Sequence, residues 1–143
     1  MSEAEPPFRL TTSDIGATMR LVTVSGELDL YTAPELRRAL EERAELRQVA
    51  VDLADVTFID STALALLASA AKRLRARGGE LQLVCDKAAI LRVLEVTGLN
   101  RVFRVQSSLD DAIAAVLHDR DETTVPDRSV VAHVSRRNST ETT

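Results

Sequence analysis

The chain has 143 residues, of which 45% are hydrophobic, 28% charged and 3% aromatic, with a formal net charge of −4. That length suits one domain, and the apolar share is enough for a core built from Ala, Val, Leu and Ile. The mild acidity excludes a basic surface for a phosphate backbone, the few aromatics argue against stacking on single-stranded nucleic acid, and a lone Cys85 forms no internal disulfide or cysteine metal cluster.

The N-terminus MSEAEPPF has no basic start leading into an apolar stretch, so no secretory signal is expected. The longest apolar patch, residues 63–71, is too short to span a bilayer. A soluble, cytoplasmic domain is the expectation. Residues 1–7 read as a flexible lead-in, residues 8–118 as the domain, and 119–143 as a polar, disordered tail. Val130, Val131 and Val134 could form a short docking segment within that tail.

Two strands open the domain, Phe8–Thr12 and Thr18–Ser25, joined by a turn at Asp14-Ile15-Gly16. After Gly26-Glu27-Leu28-Asp29, Thr32 and Glu35 have the spacing of a capping box, with Pro34 in the first turn of a helix. Leu36, Ala39 and Leu40 form its apolar face. Val49–Leu53 is a β-rich run, extended by Val56–Ile59 beyond Ala54-Asp55. Asp60-Ser61-Thr62 interrupts, and a helix is predicted over Ala63–Arg77, stopped by Gly78-Gly79. Its first half is apolar nearly all round, which requires burial against a sheet. Leu81–Cys85 is the next strand, Lys87–Thr97 a helix ending at Gly98, and Val102–Val105 a short last strand. Ser108 starts a final helix with Leu109, Ile113, Val116 and Leu117 as its stripe. The order β-β-α-β-α-β-α-β-α predicts an α/β fold with a mixed, mostly parallel sheet, an N-terminal hairpin and four helices.

The informative segment is Val56-Thr57-Phe58-Ile59-Asp60-Ser61-Thr62-Ala63-Leu64, where an apolar strand runs into hydroxyl residues and then a buried helix. Sites in open α/β sheets gather at the carboxyl ends of strands. A phosphate on Ser61 would meet the free N–H groups of a helix start, while Asp60 opposes its charge. Equally, Asp60 or Ser61 serves as a helix cap. Asp29 is either a turn residue before Thr32 or a contact for a partner. Cys85 reads as a core thiol, and the arginines at 73, 75 and 77 as a solvated helix end. His118 and His133 lack a partner pattern, and no nucleophile–His–acid set, metal cluster or phosphate-cradling loop is present, so no enzyme activity or cofactor is expected.

Gly26-Glu27-Leu28-Asp29, Thr32-Ala33, Phe58-Ile59-Asp60-Ser61-Thr62, Gly78-Gly79 and Thr97-Gly98-Leu99 occur in this order. Together they resemble the STAS-domain anti-sigma factor antagonists of bacteria, over about residues 8–118. The resemblance implies a STAS-like fold and a role in transcription regulation by partner switching. It implies phosphorylation of Ser61 by an anti-sigma factor that is also a serine kinase, with ATP and Mg supplied by that partner. It also implies dephosphorylation by a PP2C-type phosphatase, and neither nucleic acid nor membrane as a direct partner. Asp29, Asp60, Thr62 and Ala63 are then the partner-binding positions, with Thr62 an alternate acceptor. The family commonly has Gly where this chain has Ala63, a Cβ that could crowd a docking kinase. That departure motivates an alternative, a non-switching scaffold subunit of a stress-signalling complex. A receiver domain phosphorylated on Asp60 fits less well, because the acidic pair expected after the first strand is missing and the chain opens on a hairpin.

Overall fold

The structure, a computed structural model, describes residues 7–41 and 45–124, the side chains of 118–124 excepted. The predicted element order is observed. Strands β1 (Arg9–Ile15) and β2 (Met19–Leu28) form the hairpin, followed by α1 (Ala33–Ala39), β3 (Gln48–Ile59), α2 (Ser61–Ala76), β4 (Glu80–Val84), α3 (Ala88–Thr97), β5 (Arg104–Gln106) and α4 (Leu109–Thr124). The sheet order is β1-β2-β3-β4-β5, with β1 antiparallel and the other strands parallel. Each parallel step is made by a helix, as right-handed crossovers require. A sequential order with one crossover hand places α1, α2 and α3 on one face. α4 returns on the other.

The two faces carry two cores. Val22, Val24, Leu28, Val49, Val51, Leu53, Leu81 and Leu83 from the strands pack with Leu36 of α1, Leu64, Leu67 and Leu74 of α2, and Ile90 and Leu94 of α3. The second core is small: Ala112 and Val116 of α4 against Met19, Ala50 and Val84. A buried amide network reinforces it. Gln82 Nε2 donates to the Ala112 carbonyl at 3.0 Å, and Gln106 Nε2 donates to Gln82 Oε1 at 3.0 Å. Every polar atom of the Gln82 side chain is thereby paired, which burial demands. Arg20 ties the hairpin to the end of α1, pairing with Asp14 at 2.8 Å and donating to the carbonyls of Ala39 and Glu41.

Several local expectations are corrected. The capping box at Thr32 does not form. Thr32 Oγ1 instead donates to the Glu27 carbonyl at 3.0 Å and accepts from Asp29 N at 2.9 Å, and Glu35 turns to Arg38. β3 is a single strand of 12 residues, because its two surplus residues are absorbed as bulges against β2. α2 begins at Ser61, two residues before the expected start. The last strand lies at Arg104–Gln106, since Leu99–Arg101 form a turn of 3-10 helix and Phe103 is drawn into the core. α4 runs on to Thr124, beyond the expected end at 118. Arg75 is not simply solvated: its guanidinium donates to the Val102 carbonyl at 2.8 Å. Residues 1–6 of the lead-in and the tail beyond Thr124, Val130, Val131, His133 and Val134 included, lie outside the described residues.

Candidate functional site at the carboxyl edge of the sheet

β2 and β3 run parallel and end in register, Leu28 opposite Ile59. The loops that follow them therefore leave the sheet side by side. Asp60 N donates to the Leu28 carbonyl at 3.0 Å, which fixes one loop to the other. Asp29, Asp60, Ser61 and Thr62 are thus brought to a single edge by strands more than thirty residues apart in sequence.

Asp60 is the N-cap of α2. Its backbone is extended, and Oδ1 accepts from Ala63 N at 3.0 Å. Ser61 is the first helical residue and is exposed, while Thr62 is half-buried. The four leading N–H groups of a helix lack intrahelical acceptors. With Ala63 N taken by Asp60, the N–H groups of Ser61 and Thr62 have no acceptor among the described residues. They make the immediate surroundings of the Ser61 hydroxyl favourable to negative charge.

Asp29 holds its own loop. Oδ1 accepts from Tyr31 N at 2.9 Å and Thr32 N at 3.1 Å. The turn role of Asp29 is thereby accounted for. Its loop carries three features the sequence reading passed over. Leu30 is 62% exposed, Tyr31 87% and Phe58, on the adjoining end of β3, 49%. Large apolar groups left open around a polar centre mark recognition surfaces. The signal was available in part: Leu30-Tyr31 places two bulky residues in a turn, where small polar ones prevail, and Tyr31 is the chain's single tyrosine.

Ala63 is fully buried within the core beneath α2. Its Cβ lies among core residues rather than on the open edge, where it would crowd a docking partner. Among the described residues, no group of three His, Cys, Asp or Glu side chains is placed to hold a metal ion. No described helix is long and apolar enough to cross a membrane. Cys85 is buried at the end of β4, and burial pushes its thiol pKa up.

Comparison with known proteins agrees with this geometry. The STAS domain family matches residues 11–112. The anti-sigma-B factor antagonist of Listeria monocytogenes is 36% identical over 88 residues, covering 60% of this chain and 77% of that protein. An anti-sigma factor antagonist from Mycobacterium paratuberculosis superposes with a TM-score of 0.66 at 30% identity, over 77% of this chain and 94% of that one. The Bacillus cell fate determinant SpoIIAA in its phosphorylated form shares the fold, with a TM-score of 0.62 at 17% identity over 76% of this chain and 99% of that one. The family match over most of the chain, the similarity to these antagonists and the shared fold agree: the chain belongs to the STAS-domain family of anti-sigma factor antagonists.

Proposed function

We propose that this chain is a phosphorylation-controlled binding module rather than an enzyme. Its carboxyl edge engages an anti-sigma factor serine kinase and so releases a sigma factor. The observation that carries this reading is the exposed Ser61 hydroxyl at the first position of α2, beside two free N–H groups and an apolar rim of Leu30, Tyr31 and Phe58. In the transfer, Ser61 Oγ forms a bond to the terminal phosphorus of ATP as the bond to the ADP oxygen breaks, and the hydroxyl proton passes to a base of the kinase. ATP and Mg come with the kinase. A PP2C-type phosphatase reverses the step, and the setting is the bacterial cytoplasm.

The phosphate adds about −1.5 to −2 charge at pH 7. The free N–H groups accommodate it locally, so α2 stays folded, and the existence of SpoIIAA in a phosphorylated form with this fold supports that reading. Asp60 and Asp29 remain as neighbouring negative charge on the surface a partner must cover. A near-complete switch needs a change of thousands-fold, on the order of 5 kcal/mol. Repulsion combined with a lost close contact is of that size. The scaffold alternative is motivated by Ala63 in place of the family's Gly, through a tighter helix entry and crowding of a kinase, and the burial of its Cβ speaks against the crowding.

The test pairs the purified chain with an anti-sigma factor kinase and ATP. Phosphate is expected on Ser61 alone by peptide mass mapping, with Ser61→Ala refusing it and still binding. Ser61→Asp is expected to bind at least 100-fold more weakly. Phosphate incorporated equally by Ser61→Ala, or equal affinity of the Ala and Asp variants, overturns the reading.

A further inference from the structure

A second open surface lies at the other end of the molecule. β2 and β3 begin there, with Met19 opposite Gln48. α4 starts beside the end of β5 and runs back against the strands, so Val116 and Leu117 reach this edge. Between α4 and the hairpin turn lies a groove of about 390 Å³, lined by the apolar Ile15, Met19, Ile113, Val116 and Leu117 together with Thr18, Arg47 and Gln48. Ile15 is 49% exposed and Leu117 51%, values that leave two large aliphatic groups half uncovered on one rim. Gln48 Oε1 is buried with no hydrogen-bond donor among the described residues.

The chain itself brings a candidate occupant to this place. α4 continues seven residues past Leu117 to Thr124, an overhang of about 10 Å. Pro126 follows two positions on in the sequence, a residue type that disfavours continuing a helix. From Thr124 to Val130 is six residues, a reach of up to about 20 Å, twice the overhang to be retraced. The stretch Ser129-Val130-Val131-Ala132-His133-Val134 includes the main apolar cluster beyond α4, and everything after Val134 is polar. A largely aliphatic groove thus lies within reach of an aliphatic segment of the same chain.

We propose that residues 129–134 fold back from the end of α4 and occupy the groove between α4 and the β1–β2 turn, their valines covering its aliphatic rim. Tethering gives the segment an effective concentration in the millimolar range, so modest complementarity suffices. The groove is separated from Ser61 by the length of β3, and the inference is independent of the phosphorylation reading. A docked strap leaves the Ser61 edge open to its partner.

The full-length chain tests it. Cys85→Ala removes the native thiol, and Ser129→Cys carries a nitroxide label. The methyl NMR signals of Ile15, Ile113, Val116 and Leu117 are expected to lose most of their intensity, while those of Leu28 and Leu64 at the far edge keep theirs. Adding Val130→Asp and Val131→Asp is expected to restore the lost signals, and these tail substitutions leave the folded domain untouched. Undiminished groove signals in the first variant overturn the proposal, as does loss that the two aspartates fail to reverse. Mixing nitroxide-labelled chain with isotope-labelled, nitroxide-free chain covers the remaining case. Equal loss there assigns the groove to a second copy and overturns docking within one chain.

Discussion

At Asp60 a single carboxylate does two things that are separable by substitution. Its Oδ1 accepts from Ala63 N, and its charge lies beside the Ser61 hydroxyl. Asp60→Ala loses the cap and should cost roughly 1 kcal/mol in urea unfolding. Asp60→Asn keeps the acceptor and should restore most of that stability while leaving the charge absent. Ala63 behaves differently. Its methyl is buried and its position is helical, so Ala63→Gly should destabilise by about 1–2 kcal/mol through lost burial and the poorer helix propensity of Gly. The same variant should leave phosphorylation of Ser61 by the partner kinase unchanged in rate, because the Cβ does not reach the surface. Chain order alone showed Asp60-Ser61-Thr62 only in outline, as a polar, hydroxyl-bearing interruption between strand and helix. Which of the three caps, and which faces solvent, depends on the extended backbone of Asp60.

Among the elements, β3 explains why the site has an apolar rim. Strict alternation from Val56 would bury Phe58 and expose Ile59. The bulge between the Gly26–Val56 and Glu27–Phe58 pairs reverses this, so Ile59 is buried and Phe58 faces out. A bulge is a relation between two strands, and its position is not written in the residues of either one. The turn between α2 and β4 shows the opposite case. Gly78 ends the helix with φ of 82°, and Gly79 lies so close to the Arg47 backbone that a Cβ there would overlap the carbonyl oxygen. Gly79→Ala should therefore cost about 2–3 kcal/mol, the scale of an overpacked core, read from the denaturation midpoint. Gly78-Gly79 was readable as a helix stop. The need for the second glycine was not, since its cause is a strand thirty residues earlier.

For the molecule as a whole, the folded state keeps Cys85 protonated. Burial raises its pKa above the ordinary thiol value. In the pH range between the unfolded and folded values the native state binds more protons than the unfolded chain, so stability falls as pH rises there. The decline should begin near pH 8.5, the value of an unfolded thiol. Cys85→Ala should flatten that alkaline limb while lowering stability at every pH, as measured by unfolding between pH 7 and 10. Slow reaction of the native thiol with an alkylating reagent is expected on the same ground.

Periodicity and turn chemistry are local, and from them the sequence alone determined the alternation of strands and helices, the hairpin, the aliphatic core and the strand-to-helix junction at Ser61. The ordered motifs carried the family. Contacts between distant segments decided the remainder. The register of β2 on β3 set Asp29 beside Asp60 and turned Phe58 outward. The competing hydrogen bonds of the Glu27–Thr32 loop took the Thr32 hydroxyl away from its expected cap. The sheet's single crossover hand put α4 alone on the second face, leaving a small core and an open groove. Each of these depends on which residues meet across the sheet, a property that no window of neighbouring residues contains.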